Sequence, residues 1–168
     1  MKHIIIHHTG GTERDPFADT SHHTVHTVDN AHRARFGEPK SSRGWYVGYH
    51  HFIDRNGNIT KAREHTELGV HTKGRNDSIG VCLAGNFDVT QPTGEQISAL
   101  KYLLREINEQ EGILLVFPHR KFSGKTCYGR NLDDDWAQLL MNEYLAKKWG
   151  IGIGKVNSVI KVLKAFII

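Results

Sequence analysis

Three side chains in this sequence have the chemistry of a metal centre: His7, His119 and Cys127. Imidazole nitrogen and thiolate sulfur are donors that zinc favours, and a catalytic zinc takes three protein ligands and keeps one position open for water. His119 and Cys127 flank the short stretch His-Arg-Lys-Phe-Ser-Gly-Lys-Thr-Cys, a loop that can fold back and aim both side chains at one point. His7 ends an isoleucine run, where a side chain can leave the core and face a cleft. The 12 histidines in 168 residues invite such a search. Each piece alone has a plainer reading. A histidine after a strand is more often a surface or packing residue, and a single cysteine more often a small buried hydrophobe. The His119-to-Cys127 spacing matches no common structural zinc pattern, and there is no His-Glu-x-x-His helix.

The elements that must position these residues follow from periodicity and turn chemistry. Residues 2–7 read as a buried strand ending at His7, followed by a polar loop to Thr20. Val25, Val28, Ala31 and Phe36 give 21–36 helical spacing, with Gly37 as its stop. Residues 45–54 read as a strand, Asn56-Gly57 as a hairpin turn and 59–63 as the return strand. Residues 78–84 form another strand. A helix opens at Pro92-Thr93 and runs to Glu111, with Thr93 and Gln96 placed for a capping box. Residues 113–117 read as a short strand, and Asp133 to Asp135 open a helix to Trp149 with negative charge at its start. The expected fold class is α/β: a mixed central β-sheet flanked by helices. Alternation on a strand turns His8 away from His7, and sends His50 and His51 to opposite faces, one of them inward. His22, His23, His26 and His32 lie on the first helix as surface or packing residues. Cys82 reads as core, and with two cysteines far apart the chain is expected to be reduced.

Several separated motifs, in order, resemble the type-2 N-acetylmuramoyl-L-alanine amidases, the family shared with peptidoglycan recognition proteins, and most closely its short phage endolysins. Ile5-Ile6-His7-His8-Thr9 resembles the strand with the first zinc histidine. Val47-Gly48-Tyr49-His50-His51-Phe52-Ile53 resembles the Gly-Tyr-His-Phe strand. Gly69-Val70-His71-Thr72-Lys73-Gly74, Asn76 and the strand from Ser78 resemble the substrate-cleft segment, and His119 through Lys125-Thr126-Cys127 the segment with the last two ligands. The likeness spans about residues 2–140. It departs at Tyr128, where the family often has proline after the ligand cysteine, and at 74–78, one residue shorter than in the phage relatives. The resemblance implies Zn²⁺ on His7, His119 and Cys127, with catalytic roles for Tyr49 and Lys125 and substrate contacts from His71 and Asn76. The reaction it implies is hydrolysis of the amide between N-acetylmuramic acid and L-alanine in peptidoglycan. Recognition proteins that bind without cutting typically lack the cysteine ligand, so Cys127 favours the enzyme.

Charge separates the tail from the rest. Residues 144–168 hold Lys147, Lys148, Lys155, Lys161 and Lys164 and no acid, and without those five the remaining 17 basic residues face 18 acidic ones. A nucleic-acid-binding body would carry its own basic face, so no nucleic-acid partner is expected. On a helix, Ile153, Val156, Val159, Ile160, Leu163, Phe166 and Ile167 share one broad face, with Lys161, Lys164, Asn157 and Ser158 on the other. The expected organisation is a catalytic domain over 1–147 and a cationic amphipathic tail over 148–168. The tail suits an anionic membrane surface or lipopolysaccharide, or packing on the domain or in a dimer; it is too short and basic for a span. The first residues, Met1-Lys2-His3-Ile4-Ile5-Ile6-His7-His8, are no signal peptide, since the apolar run is three residues long. The expectation is a monomer made in the cytoplasm of the infected cell, reaching the cell wall after the membrane is breached.

Overall fold

The computed structural model describes residues 2–37 and 40–166. Its centre is a five-stranded sheet of β1 (Ile4–His8), β2 (His51–Ile53), β3 (Ile59–Lys61), β4 (Ile79–Leu83) and β5 (Val116–Pro118), in the order β3-β2-β4-β1-β5. All neighbours run parallel except the hairpin β2–β3. The helices are α1 (Val25–Phe36), α2 (Gly94–Glu111), α3 (Trp136–Trp149) and α4 (Ile153–Ala165). This is the mixed α/β sheet with flanking helices that the sequence predicts.

Side-chain alternation on β1 assigns the two faces. Ile4 and Ile6 join Ile79, Val81 and Leu83 in a large cluster with α2, α3 and α4, through residues such as Leu100, Leu104, Met141 and Ile160. Truncating a fully buried leucine there, Leu100→Ala, would cost about 2–5 kcal/mol. The opposite face packs Phe52 and Cys82 against Val28 of α1 and Val47, with Tyr49 at its edge. Cys82 is therefore core, as read, and both cysteines are free thiols.

The capping box of α2 forms as its sequence predicts: Thr93 Oγ1 accepts from the Gln96 N–H at 3.1 Å and Gln96 Oε1 accepts from the Thr93 N–H at 3.1 Å. Several boundaries differ from expectation, among them β5, which starts at Val116 rather than at residue 113. Helix α1 starts at Val25 rather than residue 21, because Thr24 and Thr27 form their own reciprocal cap. Helix α3 begins at Trp136, and Asp135 makes no capping bond; Asp134 and Asp135 pair instead with Arg120 and Lys164. The strand expected over 45–54 shrinks to His51–Ile53. The N–H groups of Tyr46 and Val47 donate to Asp29 Oδ1 at 2.6 and 3.0 Å, and that of Gly48 to His32 Nδ1 at 2.9 Å. Side chains of α1 thus take the places of ladder partners. His50 precedes the strand, so strict alternation does not apply there, and both His50 and His51 are buried.

Helix α4 seats Val156 and Ile160 in the main cluster, with Lys164 one turn further on lying 4.9 Å over the Phe117 ring and 2.7 Å from Asp135. Asn157 accepts from Asn142 of α3 at 2.8 Å. Asn157 and Lys164 therefore face the body, whereas the sequence reading puts them on the outer polar face. A single stripe spaced by four residues seats the helix, leaving Ile153, Val159, Val162, Leu163 and Phe166 exposed. Ile167 lies outside the described residues. Among the described residues no helix is long and apolar enough to cross a membrane.

Candidate metal centre and active site

The site forms where parallel strands end. Ile6 of β1 pairs with Pro118 of β5; the residue after Ile6 is His7, still on β1, and the residue after Pro118 is His119, the first beyond β5. The two rings thus emerge side by side at the carboxyl edge of the sheet, with centroids 4.4 Å apart. Crevices at that edge are where open α/β sheets place ligands. A 3-10 turn over His119–Phe122 then reverses the chain, and the Arg120 N–H donates to the Cys127 carbonyl at 2.5 Å, bringing Cys127 back beside His7.

Two residues hold this returning loop. Asp88 accepts from the Thr126 hydroxyl at 2.6 Å and from the Arg130 N–H at 2.7 Å. The Arg120 guanidinium donates to the carbonyls of Gly129 and Leu132 at 2.5 and 2.6 Å, and to Asp134. Tyr128 accommodates the place where the family often has proline by burying its ring fully, under Arg120 and against Trp136.

The donor atoms of His7, His119 and Cys127 all lie within 4.8 Å of one another. His7 Nδ1 is 3.7 Å from Cys127 Sγ. Zinc bond lengths at a tetrahedral angle separate a nitrogen and a sulfur ligand by roughly 3.6 Å, so the pair fits the ion without rearrangement. Protonation states also fit. Burial, and then the neighbouring His71 and His119, hold His7 well below the usual histidine range, and burial followed by the Lys125 charge lowers His119. Both rings are neutral donors. Burial pushes the Cys127 thiol up to about 12, against a stabilising His8 N–H at 3.4 Å. A buried thiol of this kind ionises when a dication supplies the missing charge.

The other expected site residues surround this centre. Tyr49 packs its ring against His7 at 4.9 Å and against His32 of α1 at 5.3 Å. Burial and the nearby Cys82 and Cys127 sulfurs raise its phenol well above the normal range, so it keeps its proton. Lys125 is exposed, and its charge acts on both His119 and Cys127. His71 lies beside His7, with Nδ1 at 3.1 Å from His7 Nε2. Asn76 is half-buried, and its Oδ1 accepts from the N–H groups of His71 and Thr72 at 3.0 and 2.9 Å, bracing the 71–76 turn.

A family model described as N-acetylmuramoyl-L-alanine amidase matches residues 1–130. The chain belongs to the N-acetylmuramoyl-L-alanine amidase family. This amidase-family chain is 35% identical over 101 residues to the endolysin of Klebsiella phage KP32, covering 56% of this chain and 67% of that protein. It is 27% identical over 137 residues to peptidoglycan-recognition protein SC2 of Drosophila melanogaster, covering 79% and 70% of the two chains. Its fold matches the endolysin N-acetylmuramoyl-L-alanine amidase LysCS of Clostridium intestinale with a TM-score of 0.64 at 24% identity, over 90% of this chain and 84% of that one. The family match stops before α3 and α4.

The sequence reading gives no role to Asp88 or Arg120, holds Thr72 only within the cleft motif and places His32 among surface or packing residues; His32 does pack, on Tyr49, and all four support the amidase-family site. Arg120 carries a faint signal, following the candidate ligand His119 directly. Asp88 carries none, since it lies 38 positions before the threonine it holds.

Proposed function

We propose that this chain is a zinc-dependent hydrolase that cleaves the amide between N-acetylmuramic acid and the L-alanine of the stem peptide, acting as a monomeric phage endolysin. The observation that carries the reading is the convergence of His7, His119 and Cys127 donors at the carboxyl edge of the sheet in a chain of this family. When bound, zinc supplies an activated water and a polarised scissile carbonyl. The chain's own residues do the rest. Tyr49, protonated and beside His7, donates a hydrogen bond that orients the reacting oxygen. Lys125, exposed at the rim and charged toward the same centre, donates to the oxyanion as the carbonyl carbon becomes tetrahedral. The water oxygen bonds to the carbonyl carbon and gives up a proton; the carbon–nitrogen bond then breaks, and the alanine nitrogen leaves as an amine carrying that proton. His71 and Asn76 shape the cleft wall beside His7 and meet the stem peptide there.

We assign this chemistry to residues 1–147 and read 148–168 as a cationic tail, whose helix α4 is seated in the core through Val156 and Ile160 and exposes the rest of its apolar face. The exposed Val159, Val162, Leu163 and Phe166 are interleaved with Lys161, and Lys155 lies at the start of the helix, a pattern that suits anionic lipid phosphates of a bacterial membrane or of lipopolysaccharide. Release from the cytoplasm of the producing cell follows breach of its membrane.

The test is digestion of purified peptidoglycan with and without a chelator, followed by identification of the new chain ends. New L-alanine amino termini without new reducing sugars, lost with chelator and restored by zinc, are the expected result. New reducing ends would make the protein a glycosidase. Tight binding without cleavage by the zinc-loaded protein would make it a recognition module.

A further inference from the structure

One contact at the centre serves neither ligand spacing nor substrate access. His7 turns Nδ1 toward Cys127, and its other nitrogen, Nε2, lies 3.1 Å from Nδ1 of His71. On the far side of that second ring, His71 Nε2 is 3.0 Å from the backbone carbonyl oxygen of Ser78. A carbonyl can only accept, so His71 Nε2 carries the hydrogen and Nδ1 of the neutral ring is a lone pair. Two lone pairs do not face each other at hydrogen-bond distance. His7 Nε2 must therefore carry a hydrogen and donate it to His71, which leaves His7 Nδ1 bare on the side of Cys127 and His119. Thr72 Oγ1, buried at 2.9 Å from His71 Nδ1 and 3.4 Å from His7 Nε2, makes the contact three-centred: the His7 hydrogen is shared between His71 Nδ1 and Thr72 Oγ1, and the His71 lone pair between His7 and the Thr72 hydroxyl, with the same tautomers.

The His71 ring is also prevented from turning. A Cβ on Gly80 of β4 would lie 2.7 Å from His71 Cδ2, and one on Gly69 would lie 2.3 Å from the same atom. These two glycines leave a slot that the imidazole fills. The far end of the chain is fixed as well, because Ser78 is fully buried and its neighbour Ile79 donates at 2.8 Å to the carbonyl of His3, the residue just before β1.

Building on the zinc reading above, we propose that His71 is a positioning residue: it relays the acceptor character of the Ser78 carbonyl to His7 and fixes the tautomer that presents Nδ1 to the metal. Outer partners of this type orient a ligand imidazole and raise its basicity, and losing one typically weakens metal binding by about 10–100-fold. This role differs from lining the cleft, which needs only an edge of the ring.

Two measurements on the full chain test it: ¹⁵N imidazole shifts of the metal-free protein, and zinc affinity by competition with a chelating dye. The variants are His71→Leu, His71→Asn and Gly80→Ala, each checked for folding by circular dichroism. In the parent, His7 should appear as the Nε2–H tautomer. His71→Leu should give a tautomer mixture and about 10–100-fold weaker zinc binding. His71→Asn, whose Oδ1 keeps an acceptor near the position of Nδ1, should restore most of the affinity. Gly80→Ala keeps the imidazole but displaces it, and should weaken zinc binding; it replaces His71→Leu as the test if that variant fails to fold. The Nδ1–H tautomer in the parent, or a His71→Asn variant no better than His71→Leu, would overturn the proposal. So would zinc affinity within about twofold of the parent in a folded His71→Leu or Gly80→Ala protein. Absence of zinc binding by the parent would instead refute the metal reading, and the tautomer would still decide the role of His71.

Discussion

Lowering the pH from 7 to 5 should strip several kcal/mol of stability from the metal-free protein, through His50 and His51 in particular. His50 is fully buried; its Nδ1 accepts from the Gly80 N–H at 3.0 Å and its Nε2 donates to the Glu67 carbonyl at 3.0 Å. Protonating Nδ1 would set a donor against a donor. His51 Nε2 lies 2.8 Å from His65 Nε2, and His65 Nδ1 lies 2.8 Å from Glu111. Since His65 donates to the carboxylate, His51 must donate to His65, and His51 Nδ1 is left buried without a partner among the described residues. A second proton there would have no acceptor. Burial is the largest cause lowering both groups, from 6.5 to about 4 for His50 and about 3 for His51. Lys2, Arg63 and His65 near His50 act in the same direction, as do Lys61, His65 and His50 near His51, against the Glu67 carbonyl bond to His50 and the charge of Glu64 near His51. The sign follows: the unfolded chain binds protons below 6.5 while the fold does not, so stability is complete above that pH and falls as pH drops toward 4. Each site loses about 1.8 kcal/mol between pH 7 and 5, or about 3–4 kcal/mol for the pair. That is a large part of the 5–15 kcal/mol typical of a domain. Urea unfolding followed by tryptophan fluorescence, with chelator present, measures it. His51→Leu should remove about half of the pair's pH-dependent loss. A parent protein whose unfolding free energy changes by less than about 1 kcal/mol over this range would refute the neutral, buried assignment.

Further outcomes follow from the site and the tail. Cys127→Ser should abolish stoichiometric zinc binding measured by metal analysis and remove amidase activity, while the metal-free fold persists, since the thiol's contacts in the absence of metal are long, at 3.4 Å or more. Tyr49→Phe should lower kcat by about 10²–10⁴-fold if the phenol assists proton transfer and less if it only orients, read from the initial rate of L-alanine amine release. Lys125→Met should lower kcat by about 10²–10³-fold with zinc affinity nearly unchanged, the signature of oxyanion stabilisation. Replacing Val162 and Phe166 by serine should weaken co-sedimentation with anionic vesicles and leave digestion of purified peptidoglycan intact; equal losses in both assays would make the tail part of the catalytic fold.

Much of the fold was legible because the signals are local. Thr93 and Gln96 announce the start of α2, Asn56-Gly57 the β2–β3 hairpin, and isoleucines the buried β1. The strand over 45–54 was misjudged because its ladder partners are replaced by Asp29 and His32, side chains from a helix 16 to 18 positions earlier. The outward face of α4 was misjudged for a related reason. Amphipathicity identifies an apolar half, but α3 and Phe117 accept only the stripe through Val156, Ile160 and Lys164.

The sequence by itself identified the family through its ordered motifs, and that resemblance, rather than residue type alone among 12 histidines, is what implies His7, His119 and Cys127 as the donor set. What the tertiary structure decided is their convergence. His7 and His119 become neighbours only through the parallel pairing of β1 and β5, more than 100 residues apart, and Cys127 joins them because Arg120 and Asp88 hold the returning loop. The direction in which His7 offers its lone pair rests on Ser78 and on a slot between two glycines, and no local pattern encodes a hydrogen-bond chain that crosses three segments of backbone.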